Sequence, residues 1–210
     1  MKAQANELQR YNDRERMNHW STALLLLLAA CSGMAFFHPS LYFLSIFTGG
    51  GPWTRILHPF IGVATALVFL GLYLRVHNDN KMTEQDKAWN GKVGEFLRGN
   101  KDAMPPAGKY NAPQKRLFWV MTLCVLVLLA TGLVMWRPYF ASSFPIDLVR
   151  VAVVVHAATA FVLVLSVIVH VYAAIWVKGT LRAMTRGTVS HAWARQNHGL
   201  WYREMTGDKK

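Results

Sequence analysis

The chain has 210 residues, 53% of them hydrophobic, and 23 lysines and arginines stand against 11 acidic residues. The formal net charge of +12 lies in a few stretches, and no nucleic-acid-binding motif accompanies it. No Walker or dinucleotide-binding glycine pattern occurs either. These observations argue against a nucleic-acid-binding protein and a nucleotide-binding enzyme and favour a membrane protein.

Four apolar runs follow one another along the chain, at residues 20–37, 56–76, 117–136 and 151–177. Each is close to the ~20 helical residues that cross a hydrocarbon core, and only Arg75 among them carries a formal charge. Because backbone polar groups find no water in lipid, such runs form helices. No A-x-A-like cleavage site follows the first run, which is therefore kept as helix I. We predict an all-α bundle of four transmembrane helices over residues 1–180 and a cytoplasmic C-terminal tail over residues 181–210.

The basic residues predict the orientation of this bundle. Four precede helix I, nine occur from Arg75 to Arg116 inclusive, and seven from Lys178 onward, whereas the other two connections hold three in all. Since basic residues mark the cytoplasmic side of a membrane protein, both termini and the middle connection are predicted to be cytoplasmic.

A weak internal repeat relates helix I to helix III. The segments "SGMAFFHP" (32–39) and "TGLVMWRP" (131–138) align as a hydroxyl residue, Gly, four large residues, a basic-type residue and Pro. Gly33, Gly62 and Gly132 either let helices approach closely or make room for a flat cofactor, and spacing alone does not decide between these roles.

Four histidines fall into two pairs under this topology. His156 and His170 are fourteen residues apart on helix IV, which places them within about 40° of one face and roughly 21 Å apart along the axis. His58 begins helix II on the outer side, at the depth of His156, and His19 begins helix I on the inner side, at the depth of His170.

Paired imidazoles at one depth suit a six-coordinate haem iron, and ionisable residues inside a membrane mark functional sites. We predict two haem groups with bis-histidine ligation, an arrangement that favours electron transfer over oxygen chemistry. Isolated polar contacts are the alternative. A zinc or non-haem iron site would require three or four converging ligands. Cys31 and Cys124 are predicted to be small core residues, and the remaining histidines are predicted to be solvated or interfacial: His38, His77, His191 and His198.

Seven segments together resemble one family over nearly the whole chain. They are "RYNDRERMNHW" (10–20), "RILHPF" (55–60), "GKYNAPQK" (108–115), "WRPYF" (136–140), "HAATA" (156–160), "HVYAAIWVKGT" (170–180) and "WYRE" (201–204). The chain resembles the gamma subunits, cytochromes b of the b556 type, of membrane-bound respiratory formate dehydrogenases. Related cytochromes serve nickel-iron hydrogenases and thiosulfate reductases.

The resemblance implies a multi-pass protein of the bacterial inner membrane with two b-type haem groups, an outer one on His58 and His156 and an inner one on His19 and His170. It also implies a quinone site, for menaquinone or ubiquinone, beside the inner haem and with Asn111 and Gln114 near the head group. The alternative for Asn111 is the start of a turn before helix III.

The resemblance further implies two partners, a catalytic molybdenum or tungsten alpha subunit and an iron-sulfur beta subunit on the outer side, and contact with membrane lipid. Formate oxidation would occur on the alpha subunit, and this chain would reduce quinone. The tail carries Trp193, Trp201 and Tyr202, predicted to contact a partner or lipid head groups. The alternatives are the cytochrome b of a hydrogenase and, in another class, a haem-free membrane anchor or an ion or proton transporter.

Overall fold

A computed structural model describes residues 7–98, 100 and 103–207 of the chain. The last three residues of the predicted tail lie outside this range. In chain order the elements are β1 (Glu7–Gln9), α1 (Asp13–Phe37), a 3-10 helix (Pro39–Thr48), α2 (Gly51–Val76), α3 (Glu84–Asn90), α4 (Val93–Leu97), α5 (Ala112–Val134), a 3-10 helix (Ala141–Ser143), α6 (Ile146–Trp176), α7 (Thr180–Arg186), β2 (Thr188–Ser190), α8 (His191–Asn197) and α9 (Gly199–Thr206).

The predicted set of four long apolar helices is confirmed. Helices α1, α2, α5 and α6 are each long and apolar enough to cross a membrane, and they are the four such helices in the described part of the chain. All four begin before the apolar run that predicted them. In α1 the reason is a reciprocal cap, in which the Asn12 and Glu15 side chains each accept a hydrogen bond from the other's backbone N–H. In α1 the polar cap thus starts the helix before the hydrophobic run.

The described residues divide into two compact units. The first, named here the histidine unit, comprises residues 17–74 and 120–170. Its core contains the buried side chains of Phe69, Cys124, Val125 and Leu163, so Cys124 is a small core residue as predicted. Many large apolar side chains on the same helices are exposed, which suits helices surrounded by lipid.

The second, named here the terminal unit, comprises the described residues among 7–16, 75–119 and 171–207. Strands β1 and β2 pair in antiparallel fashion, with Leu8 opposite Val189. The buried core of this unit consists of Tyr11, Ala183, Val189, Ala194 and Trp201. Residues from the two ends of the chain therefore fold together, an arrangement that the sequence analysis did not predict.

A buried guanidinium lies at the centre of the terminal unit. Arg10 is only 6% exposed, and its Cζ lies 5.1 Å from the ring centroid of Trp193 and 4.9 Å from that of Trp201. The same guanidinium donates a hydrogen bond to the carbonyl of Lys109 and lies 3.2 Å from Nε2 of His198. Cation–π contacts and hydrogen bonds thus surround a charge that has no carboxylate among these contacts. Trp201 belongs to this core, so the prediction that it contacts a partner or lipid is wrong for this residue.

Candidate functional site

The first histidine pair joins α2 to α6 within the histidine unit. His58 and His156 have ring centroids 6.3 Å apart, with an interplanar angle of 73°. Both side chains are partly buried. The structure therefore brings together the two residues that the topology argument assigned to one depth.

In each ring of this pair, the Nδ1 atom is hydrogen-bonded to the hydroxyl group of a side chain on a neighbouring helix. Ser32 Oγ on α1 lies 2.7 Å from Nδ1 of His58, and Thr131 Oγ1 on α5 lies 2.9 Å from Nδ1 of His156. Ser32 is fully buried. With Nδ1 engaged in this way, Nε2 is the nitrogen of each ring that remains for a metal.

A glycine follows each hydroxyl residue and lies against the same ring. A Cβ atom added at Gly33 would lie 3.3 Å from Cε1 of His58, and one added at Gly132 would lie 3.4 Å from Cε1 of His156. These are close contacts, so a side chain at either position would press on the imidazole. In each copy of the internal repeat, the hydroxyl–glycine dipeptide at residues 32–33 or 131–132 therefore contacts one histidine of the pair. The hydroxyl bonds Nδ1 of the ring, and the glycine, named here a cradle glycine, leaves room for the ring.

The second pair joins α1 to α6. His19 and His170 have ring centroids 6.1 Å apart and an interplanar angle of 45°. Unlike the rings of the first pair, His19 has a buried Nδ1 atom with no hydrogen-bond partner among the described residues. The second pair therefore has the spacing of the first without the same support at His19.

The distances in both pairs fit a metal ion between two imidazoles. A metal–imidazole bond is about 2.0–2.1 Å and the nitrogen lies about 1 Å from its ring centre, so two rings on opposite sides of one ion have centroids roughly 6 Å apart. Among the described residues no group of three or more His, Cys, Asp or Glu could hold a metal. A tetrahedral zinc site is therefore disfavoured, and a planar cofactor that supplies the other four ligands itself fits the donor set. The role of the four histidines as haem ligands stays a prediction.

The two residues predicted to bind quinone form the cap of α5. The backbone N–H of Gln114 donates to Oδ1 of Asn111 at 3.0 Å, and the backbone N–H of Asn111 donates to Oε1 of Gln114 at 2.9 Å. This reciprocal cap engages both amide oxygens and leaves the two NH₂ groups as donors for a ligand. It also explains Pro113, which lies in the first turn of the helix, where a backbone N–H has no partner within the helix.

The histidines outside the two pairs behave differently from one another. His38 is exposed, and its Nδ1 accepts a hydrogen bond from the backbone of Ser40. His198 is 2% exposed, and its Nδ1–H donates to the carbonyl of Gly108 at 2.8 Å. The prediction of a solvated or interfacial His198 is therefore wrong, because the fold of the terminal unit encloses that segment of the tail.

Four apolar helices and two histidine pairs at this spacing are the features expected of a membrane cytochrome b. A family model described as prokaryotic cytochrome b561 matches residues 10–187, and the chain belongs to that family. It is accordingly a multi-pass membrane protein, and the cofactor that the family implies is b-type haem.

Three named relatives align with most of the chain. The nitrate-inducible formate dehydrogenase cytochrome b556(Fdn) subunit of Escherichia coli (strain K12) is 39% identical over 191 residues, which are 91% of this chain and 88% of that protein. The formate dehydrogenase cytochrome b556(fdo) subunit of the same strain is 39% identical over 203 residues, 96% of this chain and 95% of that protein. The formate dehydrogenase cytochrome b556 subunit of Haemophilus influenzae is 38% identical over 195 residues, 93% of this chain and 82% of that protein. The resemblance stated from the sequence is thereby confirmed.

Proposed function

We propose that this chain is the cytochrome b membrane subunit of a respiratory formate dehydrogenase and that it carries electrons across the membrane to quinone. The main support for this proposal is the presence of two histidine pairs. The ring centroids are 6.3 Å apart in His58 and His156 and 6.1 Å apart in His19 and His170. Relatives named as formate dehydrogenase cytochrome b556 subunits, which align over more than 90% of the chain, support the choice of donor.

The four histidines would hold two b-type haem groups, which supply one-electron transfer when bound. Because both iron faces would be occupied by imidazole, neither site would offer a free coordination position, as an electron carrier requires. His156 and His170 lie on one helix and are roughly 21 Å apart along its axis. A single helix would therefore carry one ligand of each haem and set the spacing between them.

The direction of transfer follows from the charge asymmetry of the sequence. The segments before residue 20, from Arg75 to Arg116 and from Lys178 onward carry 20 of the 23 lysines and arginines, so we place these three segments on the cytoplasmic side of the inner membrane. The His58–His156 site then lies toward the periplasm, where an iron-sulfur subunit would deliver electrons from a molybdenum or tungsten subunit. The His19–His170 site lies toward the cytoplasm.

Reduction of quinone at the cytoplasmic side would conserve energy. An electron that moves inward against a potential negative inside requires about 2.3 kcal/mol per 100 mV, which the difference in reduction potential between formate and quinone supplies. Asn111 and Gln114 would each present an amide NH₂ group to the quinone head group, menaquinone or ubiquinone, while their oxygens cap α5.

The proposal is tested on the complex purified from its own membrane. We expect a pyridine haemochrome assay to give two b-type haem groups per chain, and a reduced-minus-oxidised spectrum to show low-spin bands that formate elicits. A folded sample without haem would overturn the proposal in favour of an anchor or transporter. Copurification of a nickel-iron subunit, with bands elicited by hydrogen instead of formate, would identify a hydrogenase as the electron donor. The assignment of this chain as a cytochrome b would then still hold.

A further inference from the structure

The two hydroxyl groups beside the first histidine pair also bond backbone carbonyls, which decides where the hydroxyl protons lie. Ser32 Oγ is 3.0 Å from the carbonyl of Ala29, and Thr131 Oγ1 is 2.7 Å from the carbonyl of Val127 and 3.3 Å from that of Leu128. A hydroxyl has one proton to donate and can accept through its oxygen, whereas a carbonyl only accepts. The carbonyl contact and the imidazole contact of each hydroxyl are both hydrogen bonds only if the hydroxyl donates to a carbonyl and accepts from Nδ1–H of the histidine.

This arrangement selects one tautomer of each imidazole. With the proton on Nδ1, the lone pair of Nε2 is free to bind a metal, and the hydrogen bond that Nδ1–H donates makes the ring a stronger electron donor. A stronger donor stabilises the oxidised iron more than the reduced iron. Hydrogen bonding around the axial ligand is one of the means by which a protein sets the potential of a haem.

We propose that Ser32 and Thr131 are positioning residues that orient His58 and His156 through Nδ1 and lower the reduction potential of the haem between them. The inference rests on the proposed function, since it requires that this pair binds haem. At the second pair, Nδ1 of His19 has no such partner in the described part of the chain. On this ground we expect the His58–His156 haem to be the more reducing of the two, an order that favours electron delivery from its side of the membrane.

The test compares Thr131→Val with Thr131→Ser in the whole complex. The valine variant keeps the volume of threonine and removes the hydroxyl, whereas the serine variant keeps the hydroxyl. We expect the valine variant to raise the midpoint potential of one of the two haem groups. At a fixed potential the ratio of reduced to oxidised haem should rise roughly threefold to tenfold, and tenfold corresponds to about 59 mV for one electron. The serine variant should titrate like the wild type.

Ser32→Ala supplies the same test at the opposite ring and should shift the same haem. Thr65→Val is the matched control, because the Thr65 hydroxyl is also buried in a long helix and also bonds a carbonyl of its own helix, that of Ile61. Unlike the two test residues, it has no hydrogen bond to a histidine among the described residues. Electron paramagnetic resonance of the oxidised complex should show altered g values for one low-spin haem in both test variants and unaltered values in the control.

Unshifted potentials and g values in Thr131→Val and Ser32→Ala, with two haem groups still bound, would overturn the inference and leave the proposed function intact. A wild-type complex without haem would overturn both. If Thr131→Val loses one haem while Thr131→Ser keeps two, the result supports the inference, because the hydroxyl is the group that serine and threonine share.

Discussion

The imidazole rings of His19 and His170 face each other with centroids 6.1 Å apart, although 150 residues separate them in the chain. This pair gives the most direct test of two separate haem sites. His19→Ala should lower the haem content from two groups per chain to one, because a single imidazole holds the cofactor weakly. Quinone reduction should be lost while formate oxidation with an artificial dye continues. Haem analysis and the two assays on the purified complex check this.

His38→Ala is the matched control for the loss of a histidine. His38 is exposed and its ring accepts a hydrogen bond from the backbone of Ser40, so its removal should leave two haem groups. If His19→Ala lost dye activity in a complex that still assembled, the division of labour between the chain and its partners would be wrong.

The two cradle glycines give a second prediction. An alanine at position 33 or 132 would bring its Cβ to 3.3 or 3.4 Å from Cε1 of a histidine ring, and the ring would have to shift by a few tenths of an ångström from the position that its hydrogen bond holds. Gly33→Ala and Gly132→Ala should therefore each reduce the occupancy of the haem at the His58–His156 site. Haem stoichiometry and the bands of the reduced-minus-oxidised spectrum measure the loss.

Gly62→Ala is the comparison for these variants. A Cβ atom there meets no described protein atom within 4 Å, so the chain itself tolerates it and haem content should stay at the wild-type level. Equal haem loss in all three variants would mean that the glycines make room for the cofactor and not for the rings.

Much of this site could be predicted because apolar runs and histidine positions can be recognised directly along the sequence. Lipid permits few backbone conformations, so four apolar runs predicted four helices, and the direction of each helix brought His58 to the depth of His156. The terminal unit was missed for the opposite reason. Strands of three residues carry no periodic pattern, and the enclosure of Arg10 and His198 depends on contacts between the two ends of the chain.

Variants of Gln114 can distinguish its structural role in the cap of α5 from a role in quinone binding. Gln114→Glu keeps the oxygen that accepts from the Asn111 N–H and removes the NH₂ donor, and a carboxylate suits the first turn of a helix. If the amide binds quinone, this variant should raise the KM for quinone and leave thermal stability unchanged. Gln114→Ala should lose the cap as well, at about 1 kcal/mol.

Unchanged quinone kinetics in Gln114→Glu would limit this residue to the cap. Asn111→Asp applies the same logic to the other amide, because Asp also accepts from the Gln114 N–H. The thermal unfolding midpoint, followed alongside the kinetics, distinguishes a lost ligand contact from a loosened helix.

A buried ion pair in the terminal unit predicts a large effect on stability. Lys115 Nζ lies 2.6 Å from Oδ2 of Asp86, and both side chains are at most 8% exposed. Burial by itself would raise the pKa of Asp86, but hydrogen bonds from Lys115 and Thr83 outweigh it and lower the pKa. Since the folded pKa is depressed, this stabilisation is present above the carboxyl's ordinary pKa and is lost as the pH falls through the folded value.

Asp86→Ala leaves the Lys115 ammonium buried without its carboxylate and should cost about 3–5 kcal/mol. The double variant Asp86→Leu with Lys115→Met should recover most of that loss, because it removes both charges. Thermal unfolding in detergent measures both. Equal losses in the single and double variants would show that the buried charge does not govern the effect, and that packing and the hydrogen bonds from Thr83 to Asp86 do.

His198 makes the terminal unit sensitive to acid. Burial, followed by the nearby Arg10 guanidinium, lowers the pKa of His198 to about 3, because an imidazolium would lie unsolvated beside another cation. The unfolded chain takes up a proton near pH 6.5 and the folded chain only near pH 3. The unfolded state therefore binds more protons between these values, and stability should fall by up to roughly 4 kcal/mol as the pH is lowered through that window.

His198→Gln should remove this dependence on pH. The amide can accept from Arg10 and donate to the carbonyl of Gly108, as the neutral imidazole does, but it does not titrate. Amide hydrogen exchange of peptides from residues 188–207, measured between pH 7 and pH 4 and corrected for the intrinsic rate, should show opening at low pH in the wild type and little in the variant. Equal opening in both proteins would assign the acid sensitivity to other groups. Unchanged protection in both would mean that the fold tolerates a charged His198, with solvent reaching the Arg10 site.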